Sequence, residues 1–155
     1  MDVQRYRSRL SGPLIDRIDV HVTLQGVALA KLGSREPGES SASVRARVER
    51  ARNRQRVRYK RLGIRSNAEA GGRWLDLNGG IEAGARGLLA TAAERLGLSA
   101  RAYHRVMRVS RTIADLDDSE VVGTAHVGEA LRYRPAMVEG EGRGGVDASR
   151  PLGNT

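Results

Sequence analysis

The sequence predicts a mainly α-helical body of about four helices, preceded by one isolated strand and followed by a disordered C-terminal tail. Three observations carry this reading. Four stretches repeat apolar residues at spacings of three or four, the period of a helix with one buried face. A single run, Ile18, Val20, Val22 and Leu24, alternates with the period of a strand. The last stretch, 136–155, holds five glycines and few apolar groups, too little to offset the entropy of ordering it. The predicted boundaries are a strand-bearing segment at 1–25, a loop at 26–40, a helical domain at 41–134 and a tail at 135–155.

A polar lead ends at Gly12-Pro13, and Leu14-Ile15-Asp16-Arg17 then runs into the strand. Arg17 therefore sits at the strand's mouth. There a guanidinium, with its fixed charge and five donors, suits an anion such as phosphate. The alternative is a surface arginine paired with Asp16 or Asp19. A lone strand leaves two edges of backbone donors and acceptors without partners. Either it pairs with the weak stretch near 27–32, or the chain is a piece of a larger protein whose sheet lies elsewhere. The second account is the simpler one.

Three glycines and Pro37 make 26–40 a long loop. Ser40 and Ser41 are good N-cap residues, and Ala42 to about Leu62 lacks Gly and Pro, which predicts a helix. Its apolar stripe, Val44, Val48, Ala51, Gln55, Tyr59 and Leu62, is narrow. The other faces carry Arg45, Arg47, Arg50, Arg52, Arg54, Arg56, Arg58, Lys60 and Arg61 against one acid, Glu49. Packing on one side and an exposed cationic surface on the others follow.

Glycines and asparagines break any period from Gly63 to Gly80, with Trp74-Leu75-Asp76-Leu77 as a short apolar plug. A second helix is expected from about Glu82 to Leu96, burying Ala85, Leu88, Leu89, Ala92 and Leu96, with Gly97 just past its end. A third, capped by Ser99, runs to about Leu116 and buries Ala102, Val106, Val109, Ile113 and Leu116. Asp117-Asp118-Ser119-Glu120 turns the chain. A fourth begins at Thr124, buries Val127, Ala130 and Leu131, and stops near Arg134 because Pro135 disfavours helix in the residue ahead of it.

Composition narrows the function. There is no phenylalanine and one tryptophan, so the core rests on small aliphatic residues and stability is expected to be marginal. The absence of cysteine excludes disulfides and thiolate-held metal sites and fits a reducing compartment. No stretch approaches the roughly 20 apolar residues of a membrane span, and no signal-peptide core follows Met1, so a soluble cytoplasmic chain is expected. A net charge of +9 points to polyanionic partners.

His21, His104 and His126 are scattered without metal-ligand spacing, and no metal site is expected. Asp115, Asp117, Asp118 and Glu120 read as a solvated turn rather than a cation site. No serine sits in a nucleophile elbow, and no phosphate-binding loop of the form G-x-x-x-x-G-K-[ST] is present, so the chain alone cannot hydrolyse ATP in that manner. Arg101 is different. With Ser99 as N-cap it falls in the first helical turn, where the helix dipole disfavours a cation and favours an anion. Arg105 and Arg108 follow on the same face, and a solvated basic face is the competing reading.

Three segments together are familiar: Ser-Gly-Pro-Leu-Ile-Asp-Arg-Ile-Asp at 11–19, Glu-Ser-Ser-Ala-Ser-Val-Arg-Ala-Arg-Val at 39–48, and Leu-Gly-Leu-Ser-Ala-Arg-Ala-Tyr-His-Arg-Val-Met-Arg-Val-Ser-Arg-Thr-Ile-Ala-Asp-Leu at 96–116. With the His-Val-x-Glu-Ala-Leu-x-Tyr-Arg ending at 126–134, this pattern resembles the C-terminal part of magnesium-chelatase-like AAA+ ATPases of the ComM/YifB type, over roughly residues 5–134. The resemblance implies that the helices form the lid-type bundle of an AAA+ module. It implies that ATP and Mg²⁺ bind between subunits of a ring, a hexamer, with Arg17 as the arginine finger supplied to the neighbour. Arg101 matches the sensor arginine of the lid; Arg105, one turn on along the same helix face, is a weaker candidate for nucleotide contact read from spacing alone.

The implied partners are the N-terminal remainder of the ATPase, the neighbouring ring subunits and DNA, with branch migration during recombination as the associated activity. The isolated chain is expected to be monomeric, without bound cofactor and without a membrane. The nucleotide-binding motifs themselves are absent here, and nothing in the sequence indicates magnesium insertion into a porphyrin. A different class of function remains open beside this one: a free-standing nucleic-acid-binding module whose basic helix, 45–61, tracks phosphates. Its weak point is the shortage of base-stacking aromatics, Tyr59 being alone in that helix.

Overall fold

The computed structural model describes residues 17–24, 26 and 38–134. Five helices make up the described body. α1 spans Ser41–Tyr59 and starts where the Ser40 hydroxyl accepts the Ser43 N–H at 3.2 Å. Its stripe is buried only in the second half, at Ala51, Gln55 and Tyr59, whereas Val44 and Val48 remain exposed. The first ten residues of the helix all face solvent.

The stretch expected to be irregular contains a helix, α2, at Gly72–Asn78. The glycines that break the period lie at its edges: Gly71 is the N-cap, Gly72 the first residue and Gly79 the C-cap. A seven-residue helix has no stability of its own and must be held by packing. Leu75 is fully buried, and Trp74 lies against Tyr59 with ring centroids 5.1 Å apart, so the apolar plug is real but helical. A side chain at Gly72 would run into the His104 ring, which explains glycine at that position.

α3 spans Ala83–Arg95, α4 Ala100–Leu116 and α5 Thr124–Arg132. Gly97 adopts φ +58°, the left-handed turn that ends α3. The predicted stripe of α3 is buried at Ala85 and Leu89, but Leu88 and Leu96 are exposed. Arg86 grips the Asp76 carboxylate and carbonyl, tying α3 to α2.

α4 is the centre of the body: α1, α2 and α5 pack on it, and α3 packs on α5. The core gathers Tyr59, Leu75, Leu89, Val106, Met107, Val122 and Val127. Among the described residues a single parallel bridge, Ile81 to Val122, joins the connector after α2 to the connector after α4. Arg111 clamps the same two connectors by donating to the carbonyls of Gly79, Ser119 and Glu120.

The expected strand is corrected. Residues 18–24 form no ladder among the described residues, and Ile18, Val20, Val22 and Leu24 all remain exposed. An alternating pattern needs a neighbouring strand to become a sheet, and none is present in the described part. The His21 N–H instead donates to the Tyr133 carbonyl at 2.8 Å. The polar lead, most of the loop with its weak strand partner near 27–32, and the tail at 135–155 lie outside the described residues. No helix among the described residues is long and apolar enough to cross a membrane.

Candidate functional site

Two cations identified from the sequence lie on the surface. Arg101 is exposed in the first turn of α4, where the Ser99 hydroxyl accepts the Ala102 N–H at 3.2 Å. That cap satisfies one donor; the positive end of α4 and the Arg101 guanidinium together favour an anion. Arg17 is exposed on the turn that precedes 18–24. Neither arginine makes an ion pair among the described residues.

Arg105 and Arg108 do not share that exposure. Arg105 is buried, with Nε 2.5 Å from Asp19 Oδ1. Arg108 Nε donates to the Ala70 carbonyl at 3.0 Å. The basic face read from the spacing is thus divided, with its first member in solvent and the next two turned onto the body.

The basic helix is divided as well. Arg47 makes a two-pronged contact with Glu39, at 2.9 and 3.0 Å. Arg54 holds Asp118 through both its carboxylate and its carbonyl, and Arg58 binds Asp115. These three lie at i, i+7 and i+11, one flank of α1. Arg45, Arg52 and Arg56, with Lys60 just beyond the helix end, occupy the other flank. They are exposed, as are Arg50 and Arg61, and the described residues offer them no ion-pair partner.

The arrangement around Asp115 was not legible as a unit in the sequence, which placed Arg58 on the cationic surface and Asp115 in an acidic turn. Asp115 is fully enclosed. Its carboxylate accepts from Arg58 and from Asn67 Nδ2 at 2.9 Å, with Arg111 Nη2 at 3.1 Å. Asn67 is buried too; its Oδ1 accepts from the Tyr59 hydroxyl at 2.7 Å and its N–H donates to Gln55 Oε1 at 3.1 Å. The available signal was the i, i+4 pair Arg111 and Asp115 on a helix central enough to be buried on most of its faces. Among the described residues, no three His, Asp or Glu side chains are gathered to hold a metal ion.

Burial by itself would raise the Asp115 pKa. Hydrogen bonds from Arg58 and Asn67 and the charge of Arg111 outweigh it and hold the carboxyl below the ordinary aspartate value. Burial likewise depresses Arg111, whereas for Arg58 the bond to Asp115 overcomes it and raises the pKa. A carboxyl whose folded pKa lies below its unfolded one stabilises the fold above the unfolded value, near ~3.9, and that stability is lost as pH falls through the folded value. Thermal melts should therefore hold steady down to about pH 5 and drop sharply below about pH 4; a melting temperature unchanged to about pH 2.5 would contradict this linkage.

Comparison with known proteins identifies the family. The model of the magnesium chelatase subunit ChlI C-terminal family matches residues 38–134, and that of magnesium chelatase subunit ChlI matches residues 1–32. Competence protein ComM of Haemophilus influenzae is 41% identical over 140 residues, 88% of this chain and 26% of that protein. The uncharacterized protein YifB of Escherichia coli K12 is 37% identical over 131 residues, covering 84% of this chain and 25% of its own length. The Salmonella typhimurium YifB is 37% identical over 134 residues, with the same coverage. The chain belongs to the magnesium-chelatase-like ComM/YifB family and spans about a quarter of the length of these relatives.

Proposed function

We propose that this chain supplies the lid and the trans-acting arginine of a ring-forming AAA+ ATPase, with Arg17 as the finger offered to a neighbouring subunit and Arg101 as the sensor. The observation that carries the reading is Arg101: an exposed cation in the first turn of α4, at the positive end of the helix, is a local misfit that phosphate oxygens relieve. ATP fits such a place. Mg²⁺, which shields the phosphates and polarises the transferred group, would be held by other parts of the complete protein. The match to ComM, named as a competence protein, and the excess positive charge support DNA as the substrate on which the ring acts. The test is ATP hydrolysis by the complete polypeptide carrying Arg17→Ala or Arg101→Ala, with and without branched DNA. Loss of turnover with assembly retained supports the two roles, and wild-type turnover in both variants refutes them.

One observation favours a second activity of the same chain, direct contact with nucleic acid. Arg45, Arg52, Arg56 and Lys60 form an exposed row on one flank of α1 without ion-pair partners among the described residues, while the opposite flank is neutralised by Glu39, Asp115 and Asp118. Four phosphate contacts give a slope of log affinity against log salt of about −3.6 for duplex DNA. Replacing the four by glutamine should remove most of that slope, whereas Arg47→Gln should leave it nearly intact. Salt-independent binding, or equal losses in the two variants, would remove this flank from consideration.

A further inference from the structure

We infer that Arg105 is a positioning residue which latches the Arg17-bearing turn onto α4, so that the proposed finger and the proposed sensor move as one unit. The inference rests on the roles proposed for Arg17 and Arg101, and it adds a path between them. Arg105 lies one turn along α4 from Arg101, and its partner Asp19 lies two residues beyond Arg17. The Arg105 side chain is only 7% exposed, against 53% for that of Asp19, so the arginine reaches out from the body and the aspartate comes to meet it. Its Nη1 also approaches the Ile18 carbonyl at 3.5 Å.

Hydrophobic docking does not account for the contact. Ile18, Val20, Val22 and Leu24 are all at least 42% exposed, so burial of this segment's apolar side chains contributes little. What holds it is polar: the Arg105–Asp19 pair and the His21 N–H to the Tyr133 carbonyl. Among the described residues Asp19 is the only carboxylate paired with Arg105, and a buried guanidinium left without its counter-charge is strongly unfavourable. The need to neutralise Arg105 thus keeps the turn in place. In a ring, a shift of α4 when nucleotide engages Arg101 would pass through Arg105 and Asp19 to Arg17, and so to the neighbour's site. The pair would relay the state of one site to the next.

The His21 amide reports the latch directly, because its hydrogen bond exists only while the segment is docked. Asp19→Asn removes the charge from the exposed side of the pair and should leave the helices folded. In the present chain it should speed exchange of the His21 amide about tenfold with the α4 amides unchanged, and Asp19→Glu should largely restore protection. In the complete ATPase, Asp19→Asn should lower kcat about tenfold while the KM for ATP stays within about twofold, the pattern of a displaced transition-state group rather than of weakened binding.

Unchanged His21 exchange in Asp19→Asn overturns the latch, whatever the turnover. Faster exchange with wild-type kcat overturns the positioning role, and faster exchange with a matching rise in KM does the same. Failure of the finger itself is read separately, from Arg17→Ala, and leaves the exchange result standing.

Discussion

If Arg17 is the finger proposed above, Arg17→Ala in the complete polypeptide is expected to cut ATP turnover by about 10³–10⁵ while leaving assembly and nucleotide affinity close to wild type. The size follows from where the charge acts. A finger meets the transferred phosphoryl group chiefly in the transition state, so its loss falls on kcat and spares ground-state binding. Asp19, one of the two carboxylates that could have made Arg17 an ordinary surface pair, is taken by Arg105, and Arg17 stays exposed. Arg17→Lys should rescue poorly, since a point charge on a flexible stem does not reproduce the planar fork. If the proposed finger acts on a neighbour, Arg17→Ala subunits mixed with subunits disabled in their own phosphate-binding lysine should regain part of the lost turnover. Activity of Arg17→Ala within about threefold of wild type, or no gain on mixing, would show that this arginine does not reach the reacting phosphate.

The helices were legible because their signals are local. Ser40 and Ser99 cap as expected, Gly97 ends α3 in the left-handed turn, and the stripes of α4 and α5 bury Ala102, Val106, Ile113, Val127 and Ala130. α2 was hidden because glycines at both of its edges look the same in sequence as glycines that break a helix. What holds it, Leu75 in the core and Trp74 on Tyr59, depends on contacts distant in sequence.

The strand failed for a related reason: alternation describes a segment able to join a sheet and does not supply the sheet. At the candidate site, Arg17 and Arg101 could be singled out because exposure at a chain turn or a helix start is a local property. The fates of Arg54, Arg58 and Arg105 were not legible, since their partners Asp118, Asp115 and Asp19 lie 57 to 86 positions away, Asp19 on a segment whose docking only the fold reveals. Spacing on one helix shows which side chains share a face. It does not show which face another element will cover.

That distinction yields the second large expected effect: Asp115→Ala should lower stability by about 3–5 kcal/mol, since removing one member of a buried ion network strands the others. Asp115 is enclosed, Arg111 is only 1% exposed, and the side chain of Arg58 is 18% exposed. Without the carboxylate, two guanidinium groups face each other in a poorly solvated space, and Asn67, which orients Tyr59 and Gln55, loses an acceptor. For a body of this size each kcal/mol shifts the melting temperature by roughly 4–8 °C, so a fall of at least about 12 °C is expected.

Arg54→Ala is the comparison that isolates burial from charge. It breaks an ion pair of the same type on the same helix, but its partner Asp118 is 71% exposed and free to rehydrate, so the cost should stay near or below about 1 kcal/mol. Asp115→Asn distinguishes shape from charge: it keeps the volume and some hydrogen bonding but not the neutralisation, and should fall closer to Asp115→Ala than to wild type. Equal, small losses in Asp115→Ala and Arg54→Ala would mean that water reaches Arg58 and Arg111 freely. The network would then be a surface feature of α1 and α4, and the depressed Asp115 pKa with its acid sensitivity would fall with it.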